Sequence, residues 1–170
     1  MPKGNTKDFR LMLPIILITV FADQISKTAI RALIAPNESV VVIDGFFNLV
    51  FVKNQGIAFG IMNKQGIVPI PCLLIGSTIV AIILLMLWYV SFRQKNTWIN
   101  IAVALIMGGA VGNLIDRIRF SGVVDFLDCH VGSWHWPAFN IADSAITTGV
   151  IILFFNLFLG QTSYTKHQAG

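Results

Sequence analysis

The chain has 170 residues, of which 55% are hydrophobic and only 12% are charged, and its mean hydropathy is +0.76. Because soluble domains carry about a quarter charged residues, this composition excludes an ordinary soluble domain and indicates an integral membrane protein. The net charge of +4 comes from dispersed lysines and arginines, without a basic run or an aromatic RNA-binding motif. We therefore expect no nucleic-acid partner.

Four apolar segments are each long enough to cross a membrane, because about 30 Å of hydrocarbon requires about 20 helical residues. They cover residues 11–35, 67–90, 98–115 and 142–160. We predict a single-domain, all-α membrane protein, a bundle of four transmembrane helices with a small extracytoplasmic β-rich loop region.

The first segment is apolar only as far as Ala22 and then becomes polar. Its Asp23, Lys27 and Arg31 recur at i, i+4 and i+8, so they share one face of a helix. An ion pair at an interfacial helix end and a functional role both remain open for this stripe. A cleaved signal peptide is a weaker alternative, because the helical pattern continues through Ala35.

Two long loops are expected on the same side of the membrane. In residues 36–66, strand-forming residues flank Asp44-Gly45, a hairpin-type turn, and a second break falls at 54–56. This pattern predicts a small sheet lying against the membrane. The second loop, residues 116–141, carries two tryptophans that are typical of a membrane interface.

The charges predict the orientation of the chain. Four spans place both termini on one side, and that side has the higher density of lysine and arginine in its shorter loops, which favours cytoplasmic termini. Every acidic residue except Asp8 lies on the opposite side. We therefore expect any chemistry to occur at the extracytoplasmic face.

Polar side chains converge at that face, at the outer ends of three spans. Such groups destabilise a membrane protein by several kcal/mol (~2–7) unless they are partnered, so their concentration at one depth indicates a functional site. The residues concerned are Asp23, Lys27, Asn113, Asp116, Arg117, Asn140 and Asp143, with Asp125 on the connecting loop.

Structural explanations for these residues also remain open. Asn140 and Asp143 have the spacing of an N-cap and N3 pair, close to a capping box. Gly108 and Gly112 form a GxxxG pattern, which more often allows close helix packing.

Two further pairs have equally simple explanations. Asp116 and Arg117 would make an interfacial ion pair, and Asn54 and Gly56 would make a turn.

The more specific hypothesis concerns Asp125 and Asp143. Two carboxylates held close together in a partly dehydrated cleft share one proton, and their apparent pKa values separate. The ionised member can then take a proton from water while the protonated member donates one, as hydrolysis of a peptide bond requires. This chemistry needs neither a metal ion nor a cofactor.

Two rival chemistries are weaker. Ser144 stands at a helix start without a histidine nearby in sequence, which disfavours a serine nucleophile. A zinc site is the second rival, but its potential ligands lack a recognised metal-binding spacing. Those potential ligands are Asp125, Asp128, His130 and His135.

Five motifs in order give the chain a resemblance to a known family. They read "DQISK" (23–27), "NQGIAFG" (54–60), "GGAVGNLIDR" (108–117), "VVDF" (123–126) and "FNIADS" (139–144). In this order, and on four predicted spans, they resemble lipoprotein signal peptidase (signal peptidase II), the membrane aspartic peptidase of bacteria.

The resemblance implies roles for individual residues. Asp125 and Asp143 would be the catalytic pair. Residues implied to bind substrate or to position the pair are Asn54, Gly56, Gly108, Asn113, Arg117 and Asn140. Residues implied to support the structure are Asp23, Lys27 and Asp116.

The resemblance also implies a substrate and a location. The substrate would be a prolipoprotein whose cysteine carries diacylglycerol, cleaved on the amino side of that cysteine in the bacterial cytoplasmic (inner) membrane. The expected partners are this substrate and membrane lipid, and we expect a monomer without cofactor. The alternatives are a small transporter or channel, or an assembly protein whose acidic residues serve as helix caps and ion pairs.

Overall fold

The computed structural model describes residues 6–56, 70–92 and 96–167, with side chains over 11–56, 71–91 and 96–157. The last part of the predicted β-rich loop, 57–66, and the first residues of the second predicted span, 67–69, lie outside the described residues. Residues 57–60, the second part of the "NQGIAFG" motif, also lie outside the described residues.

The described residues form four helices that coincide with the long apolar runs of the sequence. Three of them are long and apolar enough to cross a membrane, and the apolar part of the fourth, Ile141–Leu157, is shorter. Their bounds are Thr6–Leu33 (α1), Ile70–Phe92 (α2), Thr97–Phe120 (α3) and Ile141–His167 (α4). The structure is thus helical, with three candidate membrane spans among the described residues.

Helix α3 is the centre of the helical bundle. It packs against each of the other three helices, and 56% of its most apolar window is buried, compared with 6% for α2. Among the described elements, the backbone of α2 approaches only α3. Helix α2 therefore lies at the periphery and presents most of its side chains outwards.

The sheet is antiparallel throughout, with its four strands in chain order. Gly45 has a φ of +71°, which suits the turn between the first two strands, so the hairpin predicted at Asp44-Gly45 is confirmed. The bounds are Ser39–Ile43 (β1), Phe47–Asn54 (β2), Val123–Val131 (β3) and Trp134–His135 (β4).

The second predicted loop, 116–141, differs from the structure. Helix α3 continues through Phe120, and residues 123–131 form a strand paired with β2. The first four residues of that strand are all buried, so both of its faces are covered there. A strand buried on both faces lacks the apolar-polar alternation that identifies half-exposed strands in a sequence.

Two separate apolar clusters hold the molecule together. One joins Met12 of α1, Tyr89 of α2 and Ile99 of α3. The other joins Ile30 of α1 to Phe126 of β3, with partly buried side chains of β2 packed against it. The second cluster fixes the sheet against the C-terminal end of α1, at what we call the sheet-side end of the bundle.

Candidate active site

The two aspartates lie on different elements that meet at the sheet-side end of the bundle. Asp125 is on β3 and is 2% exposed, whereas Asp143 is in the first turn of α4 and is partly buried. The strand and the helix follow one another in the chain, and Phe139 between them pairs with Leu127 of β3. The connection thus turns back on the strand and brings the start of α4 beside it.

Asp125 accepts a hydrogen bond on each of its carboxylate oxygens. Asn140 Nδ2 donates to Oδ1 (2.7 Å), and Asn54 Nδ2 donates to Oδ2 (2.9 Å). Burial raises the pKa of Asp125 to about 6, the hydrogen bond from Asn54 opposes this rise, and the negative charge of Asp143 adds to it. A carboxyl group with this pKa holds a proton at pH values where an exposed aspartate has lost its own.

Asp143 is held from two sides. Asn113 Nδ2 on α3 donates to its Oδ1 (2.8 Å), and the backbone N–H of Asn140 donates to its Oδ2 (3.3 Å). The backbone N–H of Asp143 in turn donates to Asn140 Oδ1 (2.9 Å). These two reciprocal bonds form a capping box, so the structural explanation for Asn140 and Asp143 is correct.

The capping box and the contact with Asp125 use different atoms of Asn140. The box takes its side-chain oxygen and its backbone N–H, while Nδ2 remains to bond Asp125. Asn140 is fully buried. One residue, through its side chain and its backbone N–H, therefore closes the helix terminus and bonds both carboxylates.

Lys27 is the centre of a buried ionic cluster behind the aspartate pair. Its Nζ lies 2.9 Å from Asp23 Oδ2 and 3.0 Å from Asp116 Oδ2, and all three side chains are nearly inaccessible to solvent. It also donates to Asn113 Oδ1 (3.0 Å). Because that oxygen faces the ammonium group, the amide nitrogen of Asn113 is turned towards Asp143.

The same acidic residues anchor the elements that carry the pair. Asp23 Oδ1 accepts the backbone N–H of Ala142 (3.0 Å) in the first turn of α4, and Asp116 Oδ2 accepts that of Val124 (3.1 Å) in β3. The supporting contacts of Asp23 and Asp116 thus reach the residues immediately before Asp143 and Asp125.

Gln24 belongs to this cluster, although the sequence analysis did not select it. Its Nε2 lies 3.1 Å from Asp23 Oδ2, 3.0 Å from Asp116 Oδ1 and 3.2 Å from the carbonyl oxygen of Gly112. Its place in the "DQISK" motif was the available clue.

Neighbouring helices pack closely against the glycines of α3. A Cβ on Gly108 would meet Thr19 of α1 at 2.8 Å, and one on Gly109 would meet the carbonyl oxygen of Ala142 on α4 at 2.3 Å. A Cβ on Gly112 would meet Asp23 Oδ2 at 2.7 Å. Close helix packing, the explanation that the GxxxG pattern favours, therefore accounts for Gly108 and its neighbours. The role that the resemblance implies for Gly108, in binding substrate or positioning the pair, stays a prediction.

Gly56 and Arg117 lie on the side of the site that faces α2. Gly56 has a φ of +77°, and a Cβ there would meet the side chain of Leu74. Arg117 Nη1 lies 3.5 Å from Thr78 Oγ1, a long contact. The structure thus places both residues next to α2, whereas Asn54, Asn113 and Asn140 contact the aspartate pair.

The remaining candidates have local partners. Ser144 Oγ donates to the carbonyl oxygen of Asn140 (2.9 Å). His135 Nδ1 lies 2.8 Å from Asp128 Oδ1, and although burial opposes it, hydrogen bonds from His135 and Asn48 keep the pKa of Asp128 below its usual range. Among the described residues no group of three or more potential ligands is placed to hold a metal ion.

Comparisons with known proteins identify the family of the chain. Residues 15–159 match the family model described as "Signal peptidase (SPase) II". The chain is 46% identical over 162 residues to the lipoprotein signal peptidase of Syntrophotalea carbinolica, covering 95% of this chain and 97% of that protein. It is 38% identical over 154 residues to that of Syntrophus aciditrophicus, covering 87% and 96%.

The fold agrees with a solved structure as well. A bacterial membrane enzyme determined by the in meso method at 1.9 Å resolution superposes with a TM-score of 0.78 at 33% identity, covering 86% of this chain and 92% of that one. The chain belongs to the signal peptidase II family of membrane peptidases.

Proposed function

We propose that this chain removes the signal peptide from diacylglyceryl-modified prolipoproteins, cleaving before the lipid-modified cysteine. Asp125 and Asp143 are the proposed catalytic residues. The proposal depends mainly on one observation: Asn140 forms hydrogen bonds with both carboxylates in a partly dehydrated site.

The reaction follows from the different surroundings of the two carboxylates. Asp125, whose pKa is raised, is protonated more readily than an exposed aspartate and is assigned as the acid, and Asp143 is assigned as the base. Asp143 takes a proton from water as the water oxygen attacks the scissile carbonyl carbon, and Asp125 donates its proton to the carbonyl oxygen. When the tetrahedral intermediate collapses, the proton on Asp143 passes to the leaving nitrogen and the C–N bond breaks, which frees the amino group of the lipid-modified cysteine. A hydroxyl proton of the intermediate returns to Asp125, so the new carboxyl group forms and the pair regains its starting state.

The asparagines fix the orientation of the pair. Asn54 and Asn140 donate to Asp125, and Asn113 donates to Asp143, so each carboxylate has a fixed orientation before substrate arrives. Such preorganisation lowers the reorganisation required in the transition state. Lys27, Asp23 and Asp116 act through these neighbours and do not touch substrate.

The packing of α2 gives an apolar substrate a route to the pair. The cluster near Tyr89 and Met12 attaches the far end of α2, whereas the sheet-side cluster around Phe126 contains no residue of α2 among those described. Leu73 in the first turns of α2 is 53% exposed. A signal helix and two acyl chains can therefore enter sideways from lipid, past Gly56 and Arg117, to the aspartates.

The proposed membrane arrangement uses all four helices. The apolar part of α4 is short, but the whole described helix, Ile141–His167, is long enough to form a fourth span. Higher positive-charge density near the termini favours cytoplasmic termini, and the aspartate pair then faces the extracytoplasmic side of the bacterial inner membrane. The enzyme is proposed to act as a monomer without cofactor.

Single Asp125→Asn and Asp143→Asn variants test the proposal. With a diacylglyceryl-modified precursor in detergent, each is expected to fold and insert normally but to lose at least ~10²-fold in cleavage rate. Asp128→Asn is the matched control, because it alters a carboxylate on the same strand and is expected to cleave normally. Normal cleavage by either dyad variant would exclude the proposed mechanism.

A further inference from the structure

A polar cavity separate from the aspartate pair lies at the sheet-side end, between the last turns of α1 and α3. It has a volume of about 320 Å³, and Arg31, Arg119 and Phe120 are among its lining residues. Lys27 and Asp116 form part of its inner wall. No role in the proposed peptidase reaction accounts for the two arginines.

Both arginines lie against the same aromatic ring. Arg31 Cζ is 3.9 Å and Arg119 Cζ is 5.1 Å from the centroid of Phe120. Each contact is favourable by itself, but two like charges gathered at one ring repel each other. An anion between them would turn this repulsion into attraction.

Protein carboxylates do not supply that anion. Among the side chains that the structure describes, neither arginine forms an ion pair, and the nearby Asp23 and Asp116 are paired with Lys27. Asp116 is further engaged by Gln24 and by the backbone N–H of Val124. Both carboxylates are thus engaged by Lys27 and by other partners and not by the arginines, whose guanidinium groups remain available.

Exposed apolar side chains lie at the same level along the two helices as the arginines. Leu33 is 81% exposed and Ile118 is 62% exposed, each within two residues of one of the arginines. In the membrane arrangement proposed above, such side chains contact acyl chains while the arginines reach the headgroup level. Cations beside an exposed apolar surface are suited to a ligand that is both anionic and lipidic.

We propose that this cavity binds the headgroup of a membrane phospholipid that carries a net negative charge, with Arg31 and Arg119 as ligands of its phosphate. A zwitterionic headgroup fits poorly, because its own ammonium group would lie next to the two arginines. A planar guanidinium presents paired N–H donors that match two phosphate oxygens, and two such groups hold one phosphate from both helices. The bound lipid links the ends of α1 and α3 outside the aspartate pair. The proposal rests on the membrane arrangement given above and not on the peptidase reaction.

The test measures the thermal unfolding midpoint (Tm) of the full chain in a neutral detergent. Short-chain phosphatidylglycerol is titrated in, and short-chain phosphatidylcholine and inorganic phosphate are titrated separately at equal ionic strength. Phosphatidylglycerol is expected to raise Tm by about 5 °C or more at a hundredfold excess over its Kd, and phosphatidylcholine is not. An equal rise in Tm with inorganic phosphate would show that the cavity binds free phosphate and would exclude a lipid as its specific ligand.

Variants locate the effect. Arg31→Gln and Arg119→Gln are each expected to weaken the response at least tenfold in lipid concentration. Lys53→Gln is the matched control, because it removes an exposed cation at the same end, where Lys53 packs over Gly122 outside the cavity. The inactive Asp143→Asn variant is expected to respond fully, which separates this site from the peptidase proposal. Equal responses to both lipids, or an unchanged response in the double Arg31→Gln/Arg119→Gln variant, would overturn the inference.

Discussion

Asn140 donates its side-chain amide to Asp125 Oδ1 at 2.7 Å, while its own side-chain oxygen accepts the backbone N–H of Asp143 at 2.9 Å. The cap of α4 and the orientation of the aspartate pair thus depend on the same residue. Since the two functions use different atoms, substitutions can separate them.

Asn140→Ser is expected to retain the cap and to lose the donor to Asp125. Serine caps helices about as well as asparagine, so Tm should change little, whereas loss of the hydrogen bond to Asp125, about 0.5–1.5 kcal/mol, should lower the cleavage rate ~2–10-fold. Asn140→Ala removes both functions and should unfold more easily by a further ~1 kcal/mol. Equal stability of the two variants would show that the cap contributes nothing.

The titration of Asp125 provides a second prediction, with opposite signs for two variants. Asp143→Asn is expected to lower the pKa of Asp125 from about 6 towards its usual range, because the neighbouring negative charge raises it. Asn54→Ala is expected to raise that pKa further, because the hydrogen bond from Asn54 favours the ionised form. The measurement is an infrared titration of the protonated carboxyl band, assigned by its loss in Asp125→Asn.

Asp128→Asn is the control for that titration. It removes another carboxylate of β3 without touching the aspartate pair, and the pKa of Asp125 should stay near about 6. A shift of the same sign in both test variants would contradict the assigned causes.

The ionic cluster gives a third prediction. Lys27→Met leaves Asp23 and Asp116 as buried carboxylates without their cation, and such a loss destabilises a protein by about 3–5 kcal/mol. In Lys27→Met/Asp23→Asn one of these charges is removed while an amide oxygen still accepts the N–H of Ala142. We expect this second variant to recover much of the lost Tm, measured by tryptophan fluorescence in detergent.

Activity distinguishes a positioning role of Lys27 from a merely structural one. The recovered variant lacks the ammonium group that orients Asn113, so cleavage should stay at least tenfold below normal although the protein is stable. Full recovery of the cleavage rate together with Tm would show that Lys27 does not position the pair.

The helices and the first hairpin could be predicted because their determinants are local. Uninterrupted apolar runs identify the helices, and Asp44-Gly45 between strand-forming residues identifies the turn between β1 and β2. Strand β3 was missed because burial of both faces removes the alternating pattern. Its pairing with β2 depends on contacts between residues about 70 to 80 positions apart, which no local pattern encodes.

The candidate site shows the same division. The capping spacing of Asn140 and Asp143 was visible in the sequence, but the contact of Asn113 with Asp143 joins two helices and could be inferred only from the motif order. The stripe of Asp23, Lys27 and Arg31 shares a helix face only approximately. Lys27 turns inwards to its carboxylates, whereas Arg31, in the last turn, extends to Phe120.

Helix α3 provides the last prediction, because Gly109 lets the backbone of α4 approach closely just before Asp143. A Cβ at Gly109 would meet the carbonyl oxygen of Ala142 at 2.3 Å, and a backbone atom cannot move aside as a side chain can. Gly109→Ala is therefore expected to lower the stability by about 1–3 kcal/mol and to reduce cleavage by displacing the first turn of α4. Gly76→Ala on α2 is the matched control, since nothing lies within 4 Å of its Cβ position and alanine favours helix by about 0.5–1 kcal/mol. Tm and cleavage rate are measured for both variants. Gly109→Ala is expected to lower both, whereas Gly76→Ala is expected to raise Tm. A Gly109→Ala protein as stable and active as the control would show that the close α3–α4 contact does not hold Asp143 in place.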